Sequence, residues 1–218
     1  MKAFLLAGGK GERLQPLTHS IPKPMVLIHG KPLIQWNIET LRESGIKEII
    51  INLFYLGDKI EEFLGDGSKL GVEIRYSREE SLLGTGGAIV NALDLIGNEP
   101  FLLMSSDIWT KFPFKDLSLP VESIAHLVLV EPLDGKGDLN LQRGLVNNLD
   151  EGPRYSYSGI SIINPLLFYS YEKKNLDLWE TFLKPNVDKG KVTGQLSTHQ
   201  IINVNQLEDI QKIDDNIF

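Results

Sequence analysis

The chain has 218 residues, 42% hydrophobic and 23% charged, with no cysteine and a formal net charge of −7. That length suits a single sizeable core, and the absence of cysteine excludes disulfides, thiolate metal sites and cysteine nucleophiles. The acidic balance argues against nucleic acid or an anionic membrane as partner, so any anionic ligand must be met by a local basic site.

Residues 2–7 read as a buried strand, with no signal-peptide design before it. A loop rich in glycine and proline follows, and then Leu33, Ile34, Trp36, Ile38 and Leu41 recur at helical spacing up to Gly45. Residues 48–54 form an isoleucine-rich strand, 58–64 a short helix, 72–76 a strand, 88–96 a helix and 101–105 another strand. Strand and helix alternate four times, the pattern of βαβ units on a parallel sheet covered on both faces. The expected fold is α/β, a doubly wound, mostly parallel Rossmann-like sheet whose ligand crevice lies beyond the carboxyl ends of its strands. The opening loop and the turn Ser105-Ser106-Asp107 then share one rim. Beyond residue 114 shorter strands are expected, among them 126–130 and 157–163, with a helix over 176–183. No linker divides the chain, so one domain over residues 1–218 is expected. No apolar stretch is long enough to cross a bilayer, which suggests a cytoplasmic protein.

The loop carries Gly8, Gly9 and Gly11 with Lys10, Arg13 and Lys23 close by. Such glycines let backbone N–H groups approach phosphate oxygens, and the cations supply charge. The Walker loop is excluded because no Gly-Lys-Ser/Thr ends the stretch, and the dinucleotide fingerprint because Leu14 stands where its third glycine belongs. His19, His29, His126 and His199 lack metal-ligand spacing.

The run Leu6-Ala7-Gly8-Gly9-Lys10-Gly11-Glu12-Arg13-Leu14, continuing through Pro16-Leu17-Thr18 to Pro22-Lys23-Pro24, closely resembles the signature of the sugar-1-phosphate nucleotidyltransferases. Lys31-Pro32-Leu33-Ile34, Leu83-Gly84-Thr85-Gly86-Gly87-Ala88 and Asp107 extend the resemblance over most of the chain. Its short length, Gly65-Asp66-Gly67-Ser68, Ile74-Arg75-Tyr76-Ser77, Gly137-Asp138 and residues 182–194 look most like the compact N-acetylmuramate-1-phosphate uridylyltransferase branch. Mannose-1-phosphate guanylyltransferases are also similar.

The resemblance implies transfer of a nucleotidyl group from a nucleoside triphosphate to a sugar-1-phosphate with release of pyrophosphate. Residues 1–112 would bind nucleotide and 113–218 the sugar. Arg13 would hold the departing pyrophosphate and Lys23 the α-phosphate. Ala7, Gly8, Gly9 and Gly11 would wrap the triphosphate, Gly86 and Gly87 would meet the base, and Asn140, Ser158 and Gly159 the sugar. Asp107 would bind Mg²⁺. The second metal ligand of the family, an aspartate in Asp-Val-Gly-Thr, is matched here by Asn203 of Asn203-Val204-Asn205-Gln206, and a shift of the match by a few residues would let Glu208 or Asp209 supply the metal-binding carboxylate instead. Asp177 stands where a lysine is usual, and Ser106 where glycine is common. These departures leave open a binding protein without turnover on the same fold. Neither nucleic acid nor membrane is expected as a partner, and the resemblance is compatible with a homo-oligomer.

Overall fold

The computed structural model describes residues 1–132, 135–148 and 152–215. In chain order, β1 (Ala3–Leu6) leads through the glycine loop to the short pair β2 (Leu27–Ile28) and β3 (Lys31–Pro32), and then to α1 (Leu33–Glu43). β4 (Glu48–Leu53), α2 (Gly57–Leu64), β5 (Glu73–Arg78), α3 (Gly84–Asn91), α4 (Leu93–Ile96) and β6 (Phe101–Ser105) follow. The remainder holds β7 (Ile108–Thr110), β8 (Ala125–Val130), β9 (Asn140–Gln142), β10 (Leu145–Asn147) and β11 (Ser156–Ile163), then α5 (Lys184–Val187), β12 (Val192–Leu196), β13 (Ile201–Asn203) and α6 (Leu207–Asp215).

Among the described residues, nine strands build one sheet in the order β5-β4-β1-β6-β11-β8-β12-β10-β9. β5, β4, β1 and β6 are parallel neighbours joined by helical crossovers, the doubly wound arrangement anticipated from the alternating pattern. β11 enters antiparallel between β6 and β8, and β12 returns parallel to β8.

Successive residues of β1 serve opposite faces. Ala3 and Leu5 pack with Ile34, Ile38 and Leu41 of α1. Phe4 packs with Ala88 and Ile89 of α3 and with Phe182. Each fully buried aliphatic side chain of this kind contributes about 1.5–3 kcal/mol, so the strand is held from both sides. A smaller cluster joins Leu14 of the glycine loop to Val26, Ile28, Trp109, Val204 and Ile213. It ties the C-terminal segment to the first half.

Two helices differ from expectation. The one expected at 88–96 begins at Gly84 and is divided at Ala92, whose N–H is shared between the carbonyls of Ala88 and Ile89. The one expected at 176–183 begins as a π-helical turn, Trp179–Leu183, before α5. Pro185 has no N–H to return to Thr181, so regular α-helical bonding is interrupted there.

Candidate active site

Leu6 of β1 pairs with Ser105 of β6, so the glycine loop and the Ser106-Asp107 turn leave the sheet side by side. The Ser106 N–H and Oγ both donate to the Leu6 carbonyl, at 3.1 and 2.5 Å. Asn37 Nδ2 donates to the Ser106 carbonyl at 3.1 Å. Three bonds from two neighbouring elements therefore pin the turn that presents Asp107.

Across the loop, Asn52 of β4 accepts the Ala7 N–H on Oδ1 at 2.7 Å and donates Nδ2 to Glu79 Oε1 at 2.6 Å. Glu79 Oε2 accepts the Leu83 N–H at 3.0 Å. Burial pushes the Glu79 carboxyl above its ordinary range against the opposing pull of these two bonds. A Cβ on Gly8 would lie 2.7 Å from Asn52 Nδ2, which explains the glycine there. Gly11 holds φ at +65°, and its carbonyl accepts the buried Thr18 hydroxyl at 2.8 Å, closing the loop on itself.

Two clefts open over this rim. The first, about 230 Å³, is lined by Ala7, Gly8, Gly9, Asn52, Glu79, Leu82, Gly84 and Thr85 together with Lys23 and Asp107. The second, about 390 Å³, is lined by Gly9, Lys10, Gly11, Glu12, Arg13, Leu14, Lys23, Leu82 and Asp107. They share Gly9, Lys23, Leu82 and Asp107. At that junction Lys23 Nζ donates to Asp107 Oδ2 at 2.5 Å and to Asn205 Oδ1 at 3.0 Å. Lys23 stands between Pro22 and Pro24 at the start of a 3₁₀ turn, which limits its backbone freedom. Arg13 is exposed in the second cleft, and its guanidinium has no acidic partner among the described residues.

The structure thus brings together Arg13, Lys23, Asp107, Ala7, Gly8, Gly9 and Gly11. It does not bring the other candidates to the clefts. Gly86 and Gly87 line neither cleft, and both N–H groups donate to the Leu176 carbonyl, at 2.9 and 3.2 Å. A Cβ on Gly86 would meet the Phe182 ring at 2.5 Å, and one on Gly87 the Lys174 carbonyl at 2.2 Å. These glycines admit the 174–182 segment against α3; only Gly84 and Thr85 of that stretch face the first cleft. Asp177 belongs to the same segment and accepts the Glu180 N–H at 2.8 Å, capping the helix that follows.

Ser158 is fully buried, and its hydroxyl donates to the Val128 carbonyl at 2.7 Å inside a bulge of β11, so it presents nothing to a ligand. Gly159, at φ +84°, turns that bulge against Ser105: a Cβ there would lie 3.0 Å from Ser105 Oγ. Asn140 is buried in β9 at the far edge of the sheet and donates to the Pro153 carbonyl at 2.8 Å. Asn203 ends β13 opposite Ile108 with an exposed side chain and lines neither cleft, whereas Asn205, two residues on, reaches Lys23. Asp209 is only 6% exposed, and its Oδ2 is engaged by the N–H groups of Asn205 and Gln206, at 2.9 and 3.0 Å. It anchors the start of α6.

Asn52, Glu79 and Asn205 were not singled out from sequence. One signal for Asn52 was present, an amide inside the apolar strand Glu48–Leu53. A buried amide needs partners, and here one of them is the loop itself.

A family model described as nucleotidyl transferase matches residues 2–129. The chain is 39% identical over 208 residues to the N-acetylmuramate alpha-1-phosphate uridylyltransferase of Neisseria meningitidis serogroup B, covering 91% of this chain and 90% of that one. It is 31% identical over 215 residues to the D-glycero-alpha-D-manno-heptose 1-phosphate guanylyltransferase of Campylobacter jejuni, covering 96% of each. Among solved structures, HddC from Yersinia pseudotuberculosis complexed with GMP-PN superposes with a TM-score of 0.85 at 26% identity, over 100% of this chain and 99% of that one.

Proposed function

The chain belongs to the nucleotidyl transferase family, and we propose that it joins UTP to N-acetylmuramate-1-phosphate, releasing pyrophosphate and leaving a nucleotide sugar. Nucleotidyl transfer to a sugar-1-phosphate is the activity for which its full-length relatives are named. The observation that carries the assignment to this site is the junction of the two clefts at Lys23 and Asp107. In this reading the first cleft takes the nucleoside and the second the departing pyrophosphate. A phosphate oxygen of the sugar-1-phosphate attacks the α-phosphorus as the bond to the β-phosphate oxygen breaks. No covalent enzyme intermediate is required; positioning and charge neutralisation do the work.

Arg13 binds the pyrophosphate that leaves, and Lys23 binds the α-phosphate. Gly8, Gly9 and Gly11 bring backbone close to the triphosphate, and Asn52 and Glu79 hold Ala7 and Leu83 in the wall around the nucleoside. Residues 1–112 are the nucleotide half. Residues 113–218 carry the sugar half, apart from a C-terminal segment that returns to Lys23.

Asp107 suits Mg²⁺. It offers carboxylate oxygen at the mouth of both clefts, with its side chain 29% exposed, and it already faces one cation, the Lys23 ammonium. Among the described residues no group of three or more His, Cys, Asp or Glu could hold a metal. The ion would therefore share Asp107 with phosphate oxygens and water, the usual mode for magnesium. Bound there, it would supply neutralisation of triphosphate charge. No helix among the described residues is long and apolar enough to cross a membrane, and we place the reaction in the cytoplasm, supplying a precursor for envelope glycan.

Guanylyl transfer to a manno-heptose-1-phosphate is the second reading, favoured by the full-length likeness to the Campylobacter enzyme. Pyrophosphate release should be measured with UTP and GTP against N-acetylmuramate-1-phosphate, mannose-1-phosphate and manno-heptose-1-phosphate. Strongest turnover with UTP and N-acetylmuramate-1-phosphate supports the proposal, strongest turnover with GTP and the heptose phosphate replaces it, and no release in any pairing overturns both.

A further inference from the structure

We infer that Asn205 is a positioning residue: together with Asp107 it fixes the direction in which Lys23 presents its one remaining N–H to the nucleotide. The inference rests on the reading of Lys23 as a phosphate ligand. A lysine ammonium has three donors on a flexible four-carbon stem, and ordering that stem costs rotamer freedom. Here two donors are taken by acceptors from separate parts of the chain, Asp107 Oδ2 at 2.5 Å and Asn205 Oδ1 at 3.0 Å. With two of three tetrahedral directions fixed, the third is fixed as well. Lys23 is only 12% exposed, so the remaining donor is confined to the junction of the clefts it lines.

Asn205 is itself held independently of Lys23. Its N–H donates to Asp209 Oδ2 at 2.9 Å, that carboxylate also takes the Gln206 N–H, and Val204 beside it is fully buried against Leu14 and Val26. The Val204 N–H donates to the Asp107 carbonyl at 2.8 Å, so the two acceptors around Lys23 are tied to each other through backbone. An aspartate at position 107 alone would leave the ammonium free to swing about one contact; the amide removes that freedom. Such orientation by a fixed neighbour is what phosphoryl-type transfer requires, since misplacement of a charged group is costly.

The test is a double-mutant cycle on the full chain with Asn205→Ala, Lys23→Ala and both together, plus Asn205→Asp, which keeps the acceptor oxygen. Asn205→Ala should lower kcat for UTP and N-acetylmuramate-1-phosphate about tenfold, as expected for a hydrogen bond to a charged group. The KM for the sugar phosphate should stay unchanged, as should the melting temperature, because the Asp209 anchor uses backbone. In the Lys23→Ala background the same change should cost nothing further, and Asn205→Asp should retain most of the rate. Equal losses in both backgrounds, or full activity in Asn205→Ala, overturn the inference. A second readout needs no turnover: acetylation of Lys23 by acetic anhydride, followed by mass spectrometry, should be several-fold faster in Asn205→Ala than in the parent or in Asn205→Asp. An unchanged acetylation rate overturns the inference, whereas a parent rate several-fold slower than that of Asn205→Ala, in a protein that turns over no substrate, retains the positioning of Lys23 and removes the proposed function.

Discussion

Two glycine-rich stretches of this chain look alike in sequence and behave oppositely in space. Gly8, Gly9 and Gly11 line the clefts, and around the Cβ position of Gly9 there is nothing within 4 Å. Gly86 and Gly87 are filled against Phe182 and the Lys174 carbonyl, with both N–H groups spent on Leu176. The first stretch leaves space and donors for a ligand; the second uses glycine to let one part of the protein touch another. Glycine spacing does not separate the two cases. Where the N–H groups go does: those of Gly86 and Gly87 are bonded to Leu176, whereas Gly8, Gly9 and Gly11 line the clefts.

The sharpest way to break this contrast is at the cation of the first stretch. Arg13→Ala should lower kcat about 10²–10³-fold, the scale of losing one donor to developing charge, while circular dichroism and the melting temperature stay as in the parent, because Arg13 is exposed. Unchanged kinetics would remove Arg13 from the site. Gly87→Ala should destabilise the fold by about 1–3 kcal/mol in urea unfolding, the cost of forcing atoms into a filled space, with nucleotide affinity retained by the folded fraction. If stability held and nucleotide binding vanished, the second stretch would be a ligand site after all. Gly9→Ala should do the reverse: stability within about 0.5 kcal/mol of the parent, and KM for the nucleotide raised about tenfold by a methyl group in the cleft.

The smallest effect is one of pH. Burial raises the Glu79 carboxyl above its unfolded value of 4.5. The folded chain therefore holds that proton at a higher pH than the unfolded chain does, and the group's contribution to stability is full below about 4.5 and lost as pH rises through its folded value. In Glu79→Gln nothing titrates, so the stability of the variant relative to the parent should rise as pH climbs from 4.5 in urea titrations. A difference that stays flat across that window would show that Glu79 is not desolvated beside Asn52.

What sequence made legible follows the range over which each interaction acts. The parallel strands announce themselves as isoleucine and leucine runs, and the opening loop as a long local signature, so the rim formed by Gly8, Gly9 and Asp107 could be drawn before the structure. Asn52 and Glu79 could not, because their meeting depends on the pairing of β4 with β5, and register is not written in either strand alone. The packing of Gly86 and Gly87 was not legible because their partner Leu176 lies some ninety residues away, in a segment held by Thr85 and Asp177. Asn203 and Asn205 differ by two positions at the end of an edge strand. Asp209 accepts the Asn205 N–H and the Val204 N–H donates to the Asp107 carbonyl, and these contacts hold the backbone from which the Asn205 amide reaches Lys23.

Hydrogen exchange across the two glycine stretches, with and without UTP and Mg²⁺, tests the central claim most directly. The account predicts that ligand slows exchange over residues 8–13 and leaves residues 86 and 87 as they were, since those N–H groups are already bonded to Leu176. Protection appearing at 86 and 87 with none at 8–13 would contradict it.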